Sequence, residues 1–294
     1  MSDKFTLAQL LKEYSSDEKC LERIKNIRFP DGIICNKCLT ITNHYKIKNR
    51  LQYACAHCGG HIAPLAGTIF EKSTTPLTAW FYAMFVMIKT RSGISAKQLE
   101  RELGVTYKTA WRMFKQIRIL MADLDLTPLD GTVEIDETFI GGKGMNRKFV
   151  PHFNEKPKEV VMGMIKRDGK AYLKHIKNTG KWSLIEQIDQ YVSPKARVVT
   201  DQFAGYTQLR KRGYSHQVVN HSVTYVTNDD IHTQNAENLW SHLKRGIYGV
   251  YRHVSKKYLQ AYVDEYAFRY NHRKSSNQMF NLLLSQVSSV RMVK

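Results

Sequence analysis

Four cysteines in two evenly built pairs constrain this chain more than any other feature. Cys35 and Cys38 stand in "CNKC" and, after sixteen intervening residues, Cys55 and Cys58 stand in "CAHC". Two residues between ligands let one tight turn present two thiolates to one tetrahedral ion. The stretch "HYKIKNRLQYAC" between the pairs alternates like a strand of a small hairpin, which would bring the two turns together. The spacing falls within the range of a structural zinc site, and a redox pair or a chance spacing are the competing readings. Four thiolates close the coordination sphere, so one Zn2+ with a structural role is expected. The fifth cysteine, Cys20, reads as a small core residue. His57 and His61 read as exposed loop histidines, surplus to the ligand set. An odd cysteine count, with no basic-then-apolar leader at the N-terminus, argues against a disulfide framework and for a cytoplasmic protein.

The rest of the chain is strongly basic. It carries 45 Lys+Arg against 26 Asp+Glu, a formal charge of +19 and a pI near 9.7. Such a balance points to a polyanionic partner, nucleic acid before an anionic membrane surface. The longest apolar stretch, "AWFYAMFVMIKTR", is too short to span a bilayer, so no membrane partner is expected. Hydrophobic residues make up 43%, enough for a real core. Two short helices are expected before the cysteines, and helical character over residues 76–123. From about residue 131 strands mix with helices, among them the strands "TVEIDETFIG" and "ARVVTDQ" and the helices "SLIEQIDQYV" and "QLRKRGY". Residues from about 234 to 272 are helical again. This gives three expected segments: 1–66 with N-terminal helices and a zinc ribbon, 67–125 helical, and 126–294 as a mixed α/β domain ending in helices.

Residues 94–118, "ISAKQLERELGVTYKTAWRMFKQIR", read as a helix-turn-helix. Ile94, Leu99 and Leu103 are the apolar positions of a first helix. Gly104 sits at the turn, and Thr106 can cap a second helix whose apolar positions include Ala110, Trp111 and Phe114. Lys108, Arg112 and Lys115 lie on its more exposed side, as groove and phosphate contacts of a recognition helix would. An ordinary helical hairpin with solvated charges is the plainer account.

Three acids stand apart from the basic background. Asp136 lies in the strand "TVEIDETFIG", Asp201 ends the strand "ARVVTD", and Glu237 opens the helix "AENLWSHLKRGIYGV". The apolar stripe of that helix is Ala236, Leu239, Leu243, Ile247 and Val250, and Glu237 lies off it. If the three converge, each pair of carboxylates about 4 Å apart repels by roughly 4 kcal/mol at an effective dielectric near 20. Divalent cations between them would relieve this, and hard oxygen ligands without His or Cys favour Mg2+ or Mn2+. Glu134 and Glu137 carry the ordinary reading of solvated or capping acids. Glu134 shares the Asp136 face by alternation and is the better candidate for a supporting role, with Glu137 on the other face. From Leu239 to Lys294 there are ten Lys+Arg and two Asp+Glu, with Lys244, Arg245, Arg252, Lys256 and Lys257 clustered after the third acid. They form a candidate path for a DNA backbone, or simply a solvated helix face.

The order Asp136, Asp201, Glu237, with Lys244 seven residues on, resembles the DDE transposases. The closer resemblance is to bacterial insertion-sequence transposases that begin with a zinc ribbon. It is carried by "CNKC…CAHC", "LAGTIFEKSTTPLTAWFYAMF", "VEIDETFIGGKG", "VVTDQFAGY", "VNHSVTYV", "HTQNAENLWSHLKRGIYGVYRHVS" and "EYAFRYNHR", over about residues 30 to 275. The resemblance implies a ribonuclease-H-like catalytic domain. It implies binding of terminal inverted repeats, cleavage at the element's ends with two catalytic Mg2+ or Mn2+ ions, and strand transfer into target DNA. Asp136, Asp201 and Glu237 would then be the catalytic metal ligands and Lys244 a DNA contact. A homo-oligomer, dimer or larger, in a synaptic complex and a nucleoid-associated location are also implied. Asn235 is the rival for the third position under a shifted alignment. His221 and His232 fall in matching stretches without an assigned chemistry. The competing functions are another two-metal nuclease or resolvase, and a zinc-ribbon regulator that has lost catalysis.

Overall fold

The computed structural model describes residues 5–141, 158–219, 232–275 and 277–289. The chain divides into two compact units, residues 1–121 with 275–294, and residues 122–274.

The first unit starts with α1 (Leu7–Glu13) and α2 (Asp17–Arg28). Thr6 and Gln9 form a reciprocal capping box at α1, and Ser16 caps α2. The ribbon follows. β1 (Ile33–Ile34) pairs antiparallel with β2 (Ile41–Thr42), and β3 (His44–Lys46), β4 (Tyr53–Cys55) and β5 (His61–Ile62) form a three-stranded antiparallel sheet. The expected helical stretch is three helices: α3 (Leu77–Lys89), α4 (Ala96–Leu103) and α5 (Tyr107–Met121). Pro76 stands just ahead of α3, where its missing N–H costs nothing. Gly104 turns the chain between α4 and α5 with φ 65°, a conformation that costs a side-chain-bearing residue. Thr106 caps α5 by accepting from the Thr109 N–H at 3.3 Å. Ala110, Met113, Phe114 and Ile117 are the buried face of α5. Trp111 differs from its expected inward position. It is half-buried, because Met113 takes the inner place one step round the helix.

The second unit is built on a five-stranded sheet of order β10 (Ser215–Val218), β9 (Arg197–Thr200), β6 (Thr132–Ile140), β7 (Glu159–Lys166), β8 (Ala171–Ile176). β6, β7 and β8 form an antiparallel meander. After α6 (Lys181–Tyr191), β9 runs parallel to β6 and β10 parallel to β9. A three-strand meander extended on its first strand by two parallel strands is the ribonuclease-H-like arrangement. Alternation along β6 divides two cores. Val133 and Ile135 face Leu184 and Ile188 of α6, together with Tyr206. Ile140 faces the opposite core, with Ala236, Leu239, Trp240 and Leu243 of α7 (Gln234–Arg245) and with α8 (Lys256–Asn271). The segment "QLRKRGY" is only a 3-10 turn at Arg210–Arg212, stopped by Gly213 at φ 89°. A π-helical turn, Gly246–Tyr251, follows α7. Arg252 at φ 63° then ends the helical run before α8. Tyr251 Oη donates to the buried Glu265 carboxylate of α8 at 2.7 Å, and Glu265 also pairs with Arg269.

The last helix, α9 (Met279–Ser289), belongs to the first unit. Its Phe280 ring lies 5.0 Å from Phe5 and 5.8 Å from Phe81, centroid to centroid, in an aromatic cluster with Tyr14 and Phe85.

Candidate active site and zinc centre

The two cysteine turns are built alike. In each, the N–H of the first cysteine donates to the carbonyl five residues on, Cys35 to Thr40 at 3.0 Å and Cys55 to Gly60 at 2.8 Å. The residue after the second cysteine donates back, Leu39 to Cys35 at 2.8 Å and Gly59 to Cys55 at 3.0 Å. That residue is left-handed in both turns, φ 58° at Leu39 and 65° at Gly59. Gly60 stands close against the thiols, where a Cβ would sit 3.3 Å from Cys58 Sγ and 3.5 Å from Cys35 Sγ. The outcome is four Sγ atoms all within 4.8 Å of one another, the one such group of potential ligands among the described residues. Cys35 and Cys58 Sγ lie 3.5 Å apart, and Cys38 and Cys55 Sγ 3.9 Å. A tetrahedral zinc with Zn–S bonds near 2.3 Å needs edges of about 3.8 Å, so the thiols fit the ion. The Thr42 hydroxyl lies 3.1 Å from Cys55 Sγ, and it holds that thiol well below the usual value. His57 and His61 are exposed, and Cys20 is fully buried, its thiol pushed up to about 12 by burial.

The acids come from three distant segments. β6 and β9 pair in parallel with Glu134 opposite Val199. Two residues further along each chain stand Asp136, still within β6, and Asp201, the first residue beyond β9. Asp201 turns the chain by accepting from the Phe203 N–H at 3.0 Å. Glu237 is exposed in the first turn of α7, which packs over β6 and β7. Burial pushes the Asp136 carboxyl above its ordinary range. The Trp240 N–H opposes that shift, and the charges of Asp201 and Glu237 add to it. The three carboxylates do not gather within the 4.8 Å that the thiols reach. Among the described residues none of the three makes an ion pair with Lys, Arg or His.

Glu134 is the contrast on the same face of β6. It is fully buried and is not solvated. Arg167 Nε donates to it at 2.8 Å, the Asn235 N–H at 2.9 Å and Asn235 Nδ2 at 2.8 Å; the Ala236 N–H is 3.4 Å away. It thus caps α7 from outside the helix, receiving backbone donors that a helix start leaves unpaired. His232 Nδ1 lies 3.2 Å from the same carboxylate, which gives that histidine a place in the cap. His221 lies outside the described residues. Asn235, the rival third ligand, is engaged with Glu134 through both its backbone and its side chain. Glu137 faces the opposite core. It accepts from the Tyr206 hydroxyl, and burial pushes its carboxyl up to about 7.

Two models of transposase families match the chain, an ISXO2-like transposase domain over residues 128–271 and a transposase zinc-ribbon domain over residues 15–61. The chain belongs to the insertion-sequence transposases with an N-terminal zinc ribbon. This transposase is 24% identical over 276 residues to the "Uncharacterized protein in transposable element ISH50" of Halobacterium salinarum (strain ATCC 700922 / JCM 11081 / NRC-1), covering 88% of the chain and 92% of that protein. Two solved structures also match. A pre-cleavage Mos1 transpososome is 10% identical, with 73% of this chain and 79% of that chain covered and a TM-score of 0.25. A Mos1 transposase paired-end complex with left transposon end is 15% identical, with 70% and 78% covered and a TM-score of 0.24. The fold of the transposase rests on its own strand order.

The basic residues of the transposase fall in two sets. Lys108, Arg112 and Lys115 are exposed on α5, and with Tyr107, Trp111 and Gln116 they line an open groove. Lys115 Nζ stands 5.9 Å from the centre of the Trp111 ring. Lys244 is half-buried, while Arg245, Arg252, Lys256 and Lys257 are exposed. Lys256 is held by Glu159 at 2.9 Å. Sequence reasoning passed over Trp240, Arg167 and Tyr206, the groups that hold the acids in place. Trp240 was within reach, since it stands four residues after Ala236 on the apolar face of α7. No helm of spacing points to the other two, because their partners lie 33 and 69 residues away. Among the described residues no helix is long and apolar enough to cross a membrane.

Proposed function

We propose that this transposase binds the terminal inverted repeats of its insertion sequence and cuts and joins their ends using Asp136, Asp201 and Glu237 as ligands for two Mg2+ or Mn2+ ions. One observation supports this reading above the others. Asp136 is a half-buried carboxylate next to two like charges, and among the described residues the side chain that donates to it is a neutral indole. Glu134, two residues earlier on the same face, has a guanidinium for the same task. Taking a carboxylate partly out of water beside like charges is costly, and a bound cation offsets that cost. Two such ions supply an activated attacking oxygen and charge stabilisation for the leaving oxygen of a phosphodiester. The chain's own residues do the rest. Glu134 fixes the start of α7 and hence the position of Glu237. Lys108, Arg112 and Lys115 on α5 contact the end DNA, and Lys244, Arg245, Arg252, Lys256 and Lys257 follow its backbone. Asn235 is taken up by the Glu134 cap, which favours Glu237 as the third ligand. Two ends brought together require more than one copy of the chain, so a homo-oligomer, dimer or larger, carries out the reaction on DNA.

The test is incubation of the purified protein with paired-end DNA and Mg2+. End cleavage and joined products are expected, and both are lost in Glu237→Gln. Cleaved ends that never join would leave a nuclease and overturn strand transfer. Activity retained by Glu237→Gln but lost by Asn235→Ala would move the third ligand to Asn235.

A further inference from the structure

Asp136 and Gly163 are direct cross-strand partners on β6 and β7. A Cβ on Gly163 would lie 2.7 Å from both Cη2 and Cζ2 of Trp240. The indole therefore rests against bare backbone beside Asp136, in a space that only glycine leaves open. Trp240 is 5% exposed, and a buried indole N–H needs an acceptor. Its acceptor is Asp136 Oδ2, at 2.8 Å. Trp240 also stands three residues after Glu237 on α7, so a single helix carries one acid of the cluster and the donor that holds another.

We infer that Trp240 is a positioning residue for the proposed metal site. Its N–H fixes the rotation of the Asp136 carboxylate and couples it to the placement of α7, while Gly163 makes room for the ring. The inference rests on the reading of Asp136 as a metal ligand. A phenyl ring fills nearly the same volume and satisfies packing, but only an N–H to a carboxylate oxygen sets the orientation of that carboxylate. Partners that orient a metal ligand typically contribute about 10–100-fold to metal affinity.

The test uses zinc-loaded full-length protein and Mn2+ alone as the probe. Trp240→Phe removes the N–H and keeps a ring, and Gly163→Ala displaces the intact indole. Mn2+ binding is read from the free-ion EPR signal, folding from thermal melting, and end cleavage as a function of Mn2+ concentration. Both variants should bind Mn2+ about tenfold or more weakly, with the cleavage deficit narrowing as Mn2+ is raised. Wild-type tryptophan emission should change on adding Mn2+, and that change should be absent in Trp240→Phe. A Trp240→Phe protein with wild-type Mn2+ affinity overturns the inference. So does a cleavage deficit that stays constant at every Mn2+ concentration and follows a fall in melting temperature, which would mark a packing role only. Asp136→Asn separates the two readings. If it abolishes Mn2+ binding while Trp240→Phe does not weaken it, only the role of Trp240 falls. If Asp136→Asn binds Mn2+ and cleaves normally, the acid triad itself falls.

Discussion

The cysteine ribbon and the proposed acid site are assembled in opposite ways. In the ribbon, two local turns of the same design bring four Sγ atoms within 4.8 Å of one another. Each pair of ligands lies within four residues, so short backbone hydrogen bonds set the geometry, and the site closes on itself. The acids come from β6, from the end of β9 and from α7, and their oxygens stay further apart. Here the sheet and a capped helix do the placing, and the cluster stays open on one side, since Glu237 is exposed. A closed sulfur site suits an ion that stabilises a fold, and an open oxygen site suits ions that must meet a substrate. On the proposed reading, the fold needs the first metal and only the reaction needs the second.

Removing zinc from the ribbon should have the largest effect. A zinc chelator, or Cys35→Ser combined with Cys58→Ser, should abolish the order of residues 33–62, since structural zinc contributes on the order of 10 kcal/mol to a small site. Metal analysis should return about one zinc per chain in the wild type. A ribbon that keeps its NMR dispersion without zinc would defeat the comparison from the sulfur side.

Next comes the acid side. Asp136→Asn, Asp201→Asn and Glu237→Gln should each lower end cleavage and strand transfer by about a thousandfold or more, roughly 4 kcal/mol. Melting temperature should hold or rise as like-charge repulsion falls. End binding should persist in a gel-shift assay. Unfolding of these variants, rather than inactivity, would make the acids structural and erase the contrast.

Glu134 sharpens the contrast within one strand face. Glu134→Gln should cost about 3 kcal/mol, because it leaves the Arg167 guanidinium partly buried without its charge partner. Urea melts measure it, and a loss well below 1 kcal/mol would show that the cap of α7 is not held by this carboxylate. Asp264 in α8 is a half-buried acid outside the cluster, and desolvation pushes its carboxyl up to about 6 despite the Gln260 amide at 2.7 Å. Its folded-state value lies above the unfolded one, so its stability contribution is complete at low pH. It is lost as pH rises from about 4 through about 6. Asp264→Asn should therefore stabilise the protein at pH 8 by about 1–3 kcal/mol and flatten that pH dependence. An unchanged melting temperature at pH 8 would indicate that the carboxylate is well solvated there. The smallest effect concerns the basic run. Lys256→Gln with Lys257→Gln should reduce the salt slope of DNA binding by about one to two counterions. A value nearer one is expected because Glu159 already holds Lys256. An unchanged slope would return both lysines to a solvated helix face.

What could be read from residues alone was what depends on near neighbours in the chain. The zinc ligands were legible because each turn is local. So were Gly104, Thr106 and the buried stripe Ala236, Leu239, Leu243 and Ile247, because helix caps and periodicity act over a few residues. The three acids stood out by type and order, and the resemblance gave them roles. Tertiary structure decided which groups meet them. Trp240 bonds Asp136 across 104 residues, Asn235 bonds Glu134 across 101, and Tyr206 bonds Glu137 across 69. It also decided that α9, an apolar helix at the end of the chain, packs its Phe280 among Phe5, Tyr14 and Phe81. An apolar face states that burial will occur and leaves the partner open, because hydrophobic attraction has no direction. Hydrogen bonds to buried carboxylates do have direction, but the donor is chosen by strand register and helix docking, and both belong to the folded chain as a whole.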